Sequence, residues 1–215
     1  MPKIPATFLF DLDGTLIDHF TAIHRSYAHT MAQLGLPVPT MAQVRKAVGG
    51  GQENSMRRLA GDANLARALK IYRTYWDRTM LDDVVLLPGA RILLEALHAR
   101  GATLGVLSNK LGSSSRLICD HLGITPLLQA VVGAQDTAWL KPQPELIAHT
   151  LGLLGKSADG AAMVGDSPYD IEAAHNAALP AWCVTTGTHD AAELRAARAD
   201  AIYPNLDALR AALGL

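Results

Sequence analysis

Cysteine is nearly absent from the chain. Cys119 and Cys183 are the only two among 215 residues, far apart and in apolar surroundings. That argues against a disulfide framework or a cysteine-based metal site, and the pair reads as small core residues in a reducing compartment. An excess of one charge is missing too. Lys+Arg total 19 against 20 Asp+Glu, for a net charge of −1. No Lys/Arg-rich run occurs, so a nucleic-acid or general polyanion partner is not expected. Nothing approaches the ~18 continuous apolar residues of a membrane span, and the start, MPKIPATFLF, lacks a signal-peptide layout. The expectation is a cytoplasmic protein without a membrane partner, as a monomer or homodimer. Repeats and low-complexity segments are also absent. At 49% hydrophobic and 18% charged, the chain can fill one sizeable domain, or one domain with a smaller insertion.

What is present is a set of short, evenly apolar runs at 7–10, 103–107, 130–133, 161–165 and 181–185. Such runs suit strands buried on both faces of a parallel sheet. Between them lie helical patterns at 90–100, 113–123 and 144–155, opened by Pro or Ser and closed by Gly. The alternation predicts a doubly wound, Rossmann-like α/β core with a mostly parallel sheet. Residues 17–87 break the rhythm. They offer no convincing strand. Ile23, Tyr27, Met31 and Leu34 keep helical spacing, as do Leu65, Leu69, Tyr72 and Trp76, and Thr40 is a candidate N-cap. An α-helical cap at 17–87, inserted in a core of 1–16 and 88–215, is expected.

In open α/β sheets ligands bind beyond the carboxyl ends of the strands. Asp11 and Asp13 follow the first run, Ser108 and Asn109 the second, Lys141 comes after the third, and Asp166 and Asp170 follow the fourth. Side chains alternate along an extended segment, so Asp11 and Asp13 share a face. Carboxylates ~4 Å apart repel by several kcal/mol even at an effective dielectric near 20. Such a cluster needs a cation, and an all-oxygen donor set points to a hard one, Mg²⁺ foremost. Gly14 would let a phosphate approach, and the N–H groups of Gly14 and Thr15 suit an anion. Ser108 can donate to a phosphate oxygen and Lys141 can balance its charge. An ionised carboxylate can attack phosphorus without a general base, and a neighbour such as Asp13 can serve as acid and base.

Together DLDGTLID, LSNK, KPQP and GDSPYD resemble the four motifs of the haloacid dehalogenase superfamily, over nearly the whole chain. LSNK and KPQPE are most similar to its phosphoglycolate-phosphatase-like branch, and the helical insert resembles its type-1 cap. The resemblance implies a phosphatase acting on a small phosphorylated metabolite. It implies an aspartyl-phosphate on Asp11, acid/base work by Asp13, and a phosphate held by Ser108 and Lys141. It also implies Mg²⁺ bound by Asp11, the Asp13 backbone carbonyl and Asp166. The superfamily's dehalogenases lack the second aspartate of the first motif; Asp13 is present here, which favours phosphoryl transfer.

Several residues carry two readings. Asp170 either caps the helix after SPYD or stands behind the metal ligands. Asn109 is a phosphate contact or a turn former. Lys110 reads as a solvated lysine at the rim, His19 as a hinge or surface residue, and Tyr72 and Trp76 as cap core. The Gly49–Gly51 run is a plain loop or a substrate-touching one, with Gln52 and Arg57 or Arg58 nearby. Rival functions are a sugar phosphomutase, an inorganic pyrophosphatase and a phospho-accepting receiver module. A receiver needs no lid over its aspartate, so the ~70-residue insert argues against the last.

Overall fold

The computed structural model describes residues 4–215; the first three residues of the expected core segment lie outside it. The buried TFLF run forms β1 (Thr7–Phe10). A short strand β2 (Ile17–Asp18) leads into helices α1 (Phe20–Leu34), α2 (Met41–Ala47), α3 (Gln52–Ala60) and α4 (Leu65–Thr79). Then β3 (Val85–Leu86) returns antiparallel to β2, Ile17 opposite Leu86 and Asp18 opposite Val85. From there helix and strand alternate: α5 (Ala90–Ala99), β4 (Thr103–Leu111), α6 (Gly112–His121), β5 (Ala130–Ala134) and α7 (Pro144–Leu153). The remainder is β6 (Ala161–Gly165), α8 (Pro168–Asn176), β7 (Ala181–Val184), α9 (Ala191–Ala196), β8 (Ala201–Tyr203) and α10 (Leu206–Ala212).

One parallel sheet runs β5-β4-β1-β6-β7-β8. β1 is central, with Phe10 in register with Val106 of β4 and Val164 of β6. The chain builds outward from β1 on one side, then crosses back to build the other, so the crevice at the carboxyl end of β1 is a topological switch point. Period-two alternation sorts the core. Phe8 and Phe10 face α5, α10 and the helical insert, while Leu9 faces α7 and α8 through Leu146, Ile147 and Ile171.

The insert follows its periodicity. Ile23, Tyr27 and Met31 of α1 and Tyr72 and Trp76 of α4 are buried, with Leu34, Leu65 and Leu69 packed at the margin. Thr40 caps α2 reciprocally with Gln43. Three features depart from expectation. Two-residue strands stand at both ends of the insert, where none was foreseen, because the chain leaves and re-enters the core side by side. β4 runs on to Leu111 through a register shift after Leu107, carrying Ser108, Asn109 and Lys110 within it. A further edge strand, β8, adds to β7, half-buried throughout. No helix among the described residues is long and apolar enough to cross a membrane.

Candidate active site

Asp11 leaves β1 with its N–H on the Val164 carbonyl, 2.9 Å away, which fixes it at the mouth of the sheet. Lys141 enters from the loop after β5, buried, with Nζ 2.7 Å from Asp11 Oδ1 and 2.7 Å from Asp170 Oδ1. Asp170 Oδ2 accepts from Asp166 N–H (3.1 Å), Ser167 N–H (3.0 Å) and Ser167 Oγ (2.7 Å). The capping reading of Asp170 therefore holds: Oδ2 caps the start of α8, while Oδ1 meets Lys141. Carboxylate oxygens of Asp11, Asp166 and Asp170 all lie within 4.8 Å of one another. Burial pushes the Asp11 carboxyl up to about 6 against the pull of Lys141, with Asp170 adding to the rise. Burial, then Asp170 and Asp11, pushes Asp166 up to about 8. Ionised together, the three carboxylates would exceed the one lysine by two negative charges. An all-oxygen cluster with that excess fits a hard divalent cation.

Asp13 lines the same cleft as Asp11 and Asp166 but has partners of its own. Lys110 Nζ binds both its oxygens, at 3.0 and 2.7 Å, and His19 Nδ1 lies 3.4 Å from Oδ1. Burial opposes the charge on Asp13, but Lys110 and then His19 hold its carboxyl far below the usual range. Lys110 is thus not a solvated rim lysine. Its ammonium also sits 4.6 Å from the centroid of the Trp76 ring. Nor is His19 a surface residue. It is fully buried, Nε2 donates to the Met80 carbonyl at 2.5 Å, and burial followed by Lys110 pushes its pKa down.

Other expected contacts are redirected. Gly14 has φ +84°, and a Cβ there would meet Gly187 Cα at 2.7 Å and Asp166 Oδ2 at 2.9 Å. Its missing side chain makes room for protein, not for a phosphate. The N–H groups of Gly14 and Thr15 are spent inside the loop, on the Ile17 and Leu12 carbonyls. Thr15 Oγ1 points to Asp166 Oδ1 at 3.4 Å. Asn109 donates to the Gly49 and Lys141 carbonyls, both at 3.0 Å, and accepts from Lys141 N–H at 2.8 Å. Its side chain is a bracket for Lys141 and the insert, committed away from a phosphate. Ser108 is buried and lines the cleft, its Oγ accepting from Lys110 N–H at 3.3 Å. Arg57 pairs with Glu53 and Asp62 on the outer surface and Arg58 is exposed, so neither meets the cleft, whereas Gly49, Gly51 and Gln52 do line it.

A family model for haloacid dehalogenase-like hydrolases matches residues 8–184. The chain belongs to that family. A phosphoglycolate phosphatase from Rhodospirillum rubrum is 33% identical over 86% of this chain and 81% of its own. One from Aquifex aeolicus is 33% identical over 81% and 84%. These relatives place it in the phosphoglycolate-phosphatase-like branch. The crystal structure of a predicted phosphatase from Clostridium acetobutylicum superposes with a TM-score of 0.90, at 27% identity, covering 99% of this chain and 100% of that one.

In this haloacid dehalogenase-like hydrolase one group of site residues escaped the sequence reading. Thr188, after β7, donates to Asp166 Oδ2 from its N–H (2.8 Å) and Oγ1 (3.0 Å). Thr186 Oγ1 donates to the Gly14 carbonyl at 2.7 Å. Gly187 between them packs so close that a Cβ would collide with Asp166. The signal was available: TTGT directly follows a buried strand, as the other site loops do.

Proposed function

We propose that the chain is a Mg²⁺-dependent phosphatase that hydrolyses a small phosphomonoester through an aspartyl-phosphate on Asp11. Residues 17–87 would form the cap over a core of 1–16 and 88–215. The observation that carries this is Asp11 itself: a strand-end carboxylate, 2.7 Å from Lys141, inside a buried acidic cluster and two residues from a second carboxylate with separate partners. The activity named for the 33%-identical relatives supports a phosphoric monoester hydrolase.

Asp11 attacks phosphorus and the bond to the leaving oxygen breaks; Asp13, when protonated, gives that oxygen its proton. Asp13 then takes a proton from the water that attacks phosphorus, the Asp11–phosphorus bond breaks, and inorganic phosphate leaves. The Lys110 ion pair holds Asp13 ionised, the form that accepts a proton from the attacking water. Ser108 and Lys141 hold the phosphoryl oxygens, and Asn109 keeps Lys141 in place. Mg²⁺, held by Asp11, Asp166 and the Asp13 carbonyl, would supply the charge neutralisation that lets a phosphate dianion reach a carboxylate. Closure of the insert would limit water in the first step.

Asp11→Asn is expected to abolish Mg²⁺-supported phosphate release while circular dichroism and melting stay those of a folded protein. Rapid acid quench of the parent should capture one phosphoryl group per chain by mass. Full turnover by the Asn variant, with deamidation excluded by mass spectrometry, would sink the covalent mechanism.

A further inference from the structure

The roof of the cleft differs in chemistry from its floor. Phe20, Tyr27, Tyr72 and Trp76 supply an aromatic wall, and Gln52 and Ser55 its polar groups. Tyr27 and Tyr72 meet at 4.7 Å between ring centroids, and Tyr72 and Trp76 stack at 5.7 Å. Ser55 Oγ is turned to the Ala47 and Gly51 carbonyls, 3.0 Å from each. Gln52, which lines the cleft, accepts from Arg73 at 3.0 Å, and its NH₂ is a neutral donor.

Basic side chains are what this roof lacks. Among the described residues lining the cleft, Lys110 and Lys141 are the basic ones, and carboxylates hold both. None of the insert's described arginines lines the cleft. Arg57 is paired on the outside with Glu53 and Asp62. Arg45 lies with its guanidinium 3.9 Å over the Phe20 ring and donates to the Gly187 carbonyl at 3.1 Å. A phosphate already brings negative charge into a cluster that a divalent cation would only neutralise. A second anion on the leaving group would meet aromatic faces, which carry the negative side of the ring quadrupole. It would lose water and gain no cation in return.

On the phosphatase reading above, we infer that the enzyme selects phosphomonoesters whose leaving alcohol is uncharged, an aliphatic or polyol alcohol. It discriminates against leaving groups that carry a carboxylate or a second phosphate. This sets it apart from the activity named for its 33%-identical relatives, since phosphoglycolate bears a carboxylate.

The test is a near-isosteric pair assayed with Mg²⁺: 2-phosphoglycolate and 2-hydroxyethyl phosphate, which has a CH₂OH where the former has its carboxylate. We expect kcat/KM to favour 2-hydroxyethyl phosphate by roughly tenfold or more, the scale of one charged group left unpaired. Gln52→Arg, which adds a cation to the roof, should move the ratio toward phosphoglycolate by about tenfold. Equal or better turnover of phosphoglycolate by the parent would overturn the inference and leave the phosphatase reading intact. An unmoved ratio in Gln52→Arg would overturn it as well, because the leaving group would then not meet this wall. Release of phosphate from neither ester, nor from p-nitrophenyl phosphate, would bring down the phosphatase reading and this inference with it.

Discussion

Lys141 lies 2.7 Å from both Asp11 and Asp170, and all three side chains are buried. Removing one member of a buried charge pair typically costs ~3–5 kcal/mol, because the partner keeps its desolvation penalty. Lys141→Met should therefore lower the urea midpoint of metal-free protein near neutral pH by about that free energy. Adding Asp170→Asn should restore part of it, by deleting one stranded charge. A midpoint unchanged in the single variant would show that Asp11 and Asp170 do not depend on Lys141. Asp11, Asp166 and Lys141 were legible because each follows a recognisable buried strand or a Pro-flanked motif. Lys110, His19 and Thr188 were misread or missed because their partners are remote in sequence. Lys110 is 97 residues from Asp13, and nothing in its own neighbourhood reveals the pairing. Gly14 was legible as a special position but not in its reason, because a sequence cannot say which atom fills the space a missing Cβ leaves.

At the scale of elements, α4 connects the insert to the catalytic floor. Trp76 Nε1 donates to Ser114 Oγ of α6 at 3.2 Å, across the cleft, while its ring carries Lys110 on one side and packs near His19 at 4.9 Å. Asn109 to Gly49 and Arg45 to Gly187 are further side-chain hydrogen bonds that hold the insert down. Trp76→Phe keeps an aromatic surface for Lys110 and Tyr72 but deletes the N–H. A net hydrogen bond is worth about 0.5–1.5 kcal/mol, so kcat/KM should fall roughly threefold to tenfold while the far-UV spectrum holds. Unchanged kinetics would show that this contact plays no part in closure. The helices of the insert and the central strands were readable from periodicity and evenly apolar runs. β2, β3 and β8 were not: the first two are two residues long, and β8 is three half-buried residues at an edge. Pairing with a neighbour, rather than local composition, makes them strands.

Across the whole molecule, the acidic end of the sheet couples stability to pH and to metal. In the metal-free protein Asp11 is raised to about 6 and Asp166 to about 8, in both cases chiefly by burial. A carboxyl whose folded pKa exceeds its unfolded value of ~4 binds more protons in the folded state between the two values. Folding stability then falls as pH rises through that window, from about pH 4 to about pH 8. Asp13 works in the opposite sense, with Lys110 holding its pKa down despite burial. Its contribution is already complete above the ordinary carboxylate range and is lost only at strongly acid pH, so it does not mask the trend. A divalent cation competes with protons for Asp11 and Asp166, and its stabilisation must therefore grow with pH. The melting temperature of EDTA-treated protein should decline from about pH 5 to about pH 8, while the increment from a fixed Mg²⁺ concentration rises over the same range. Asp166→Asn removes the group with the higher pKa and should flatten both slopes, most clearly above about pH 6. Metal-free protein that gains stability toward pH 8, or a Mg²⁺ increment that stays level with pH, would mean that the buried carboxylates are already ionised at neutral pH. The positive charge to hold them so would have to come from Lys141 and Lys110 alone.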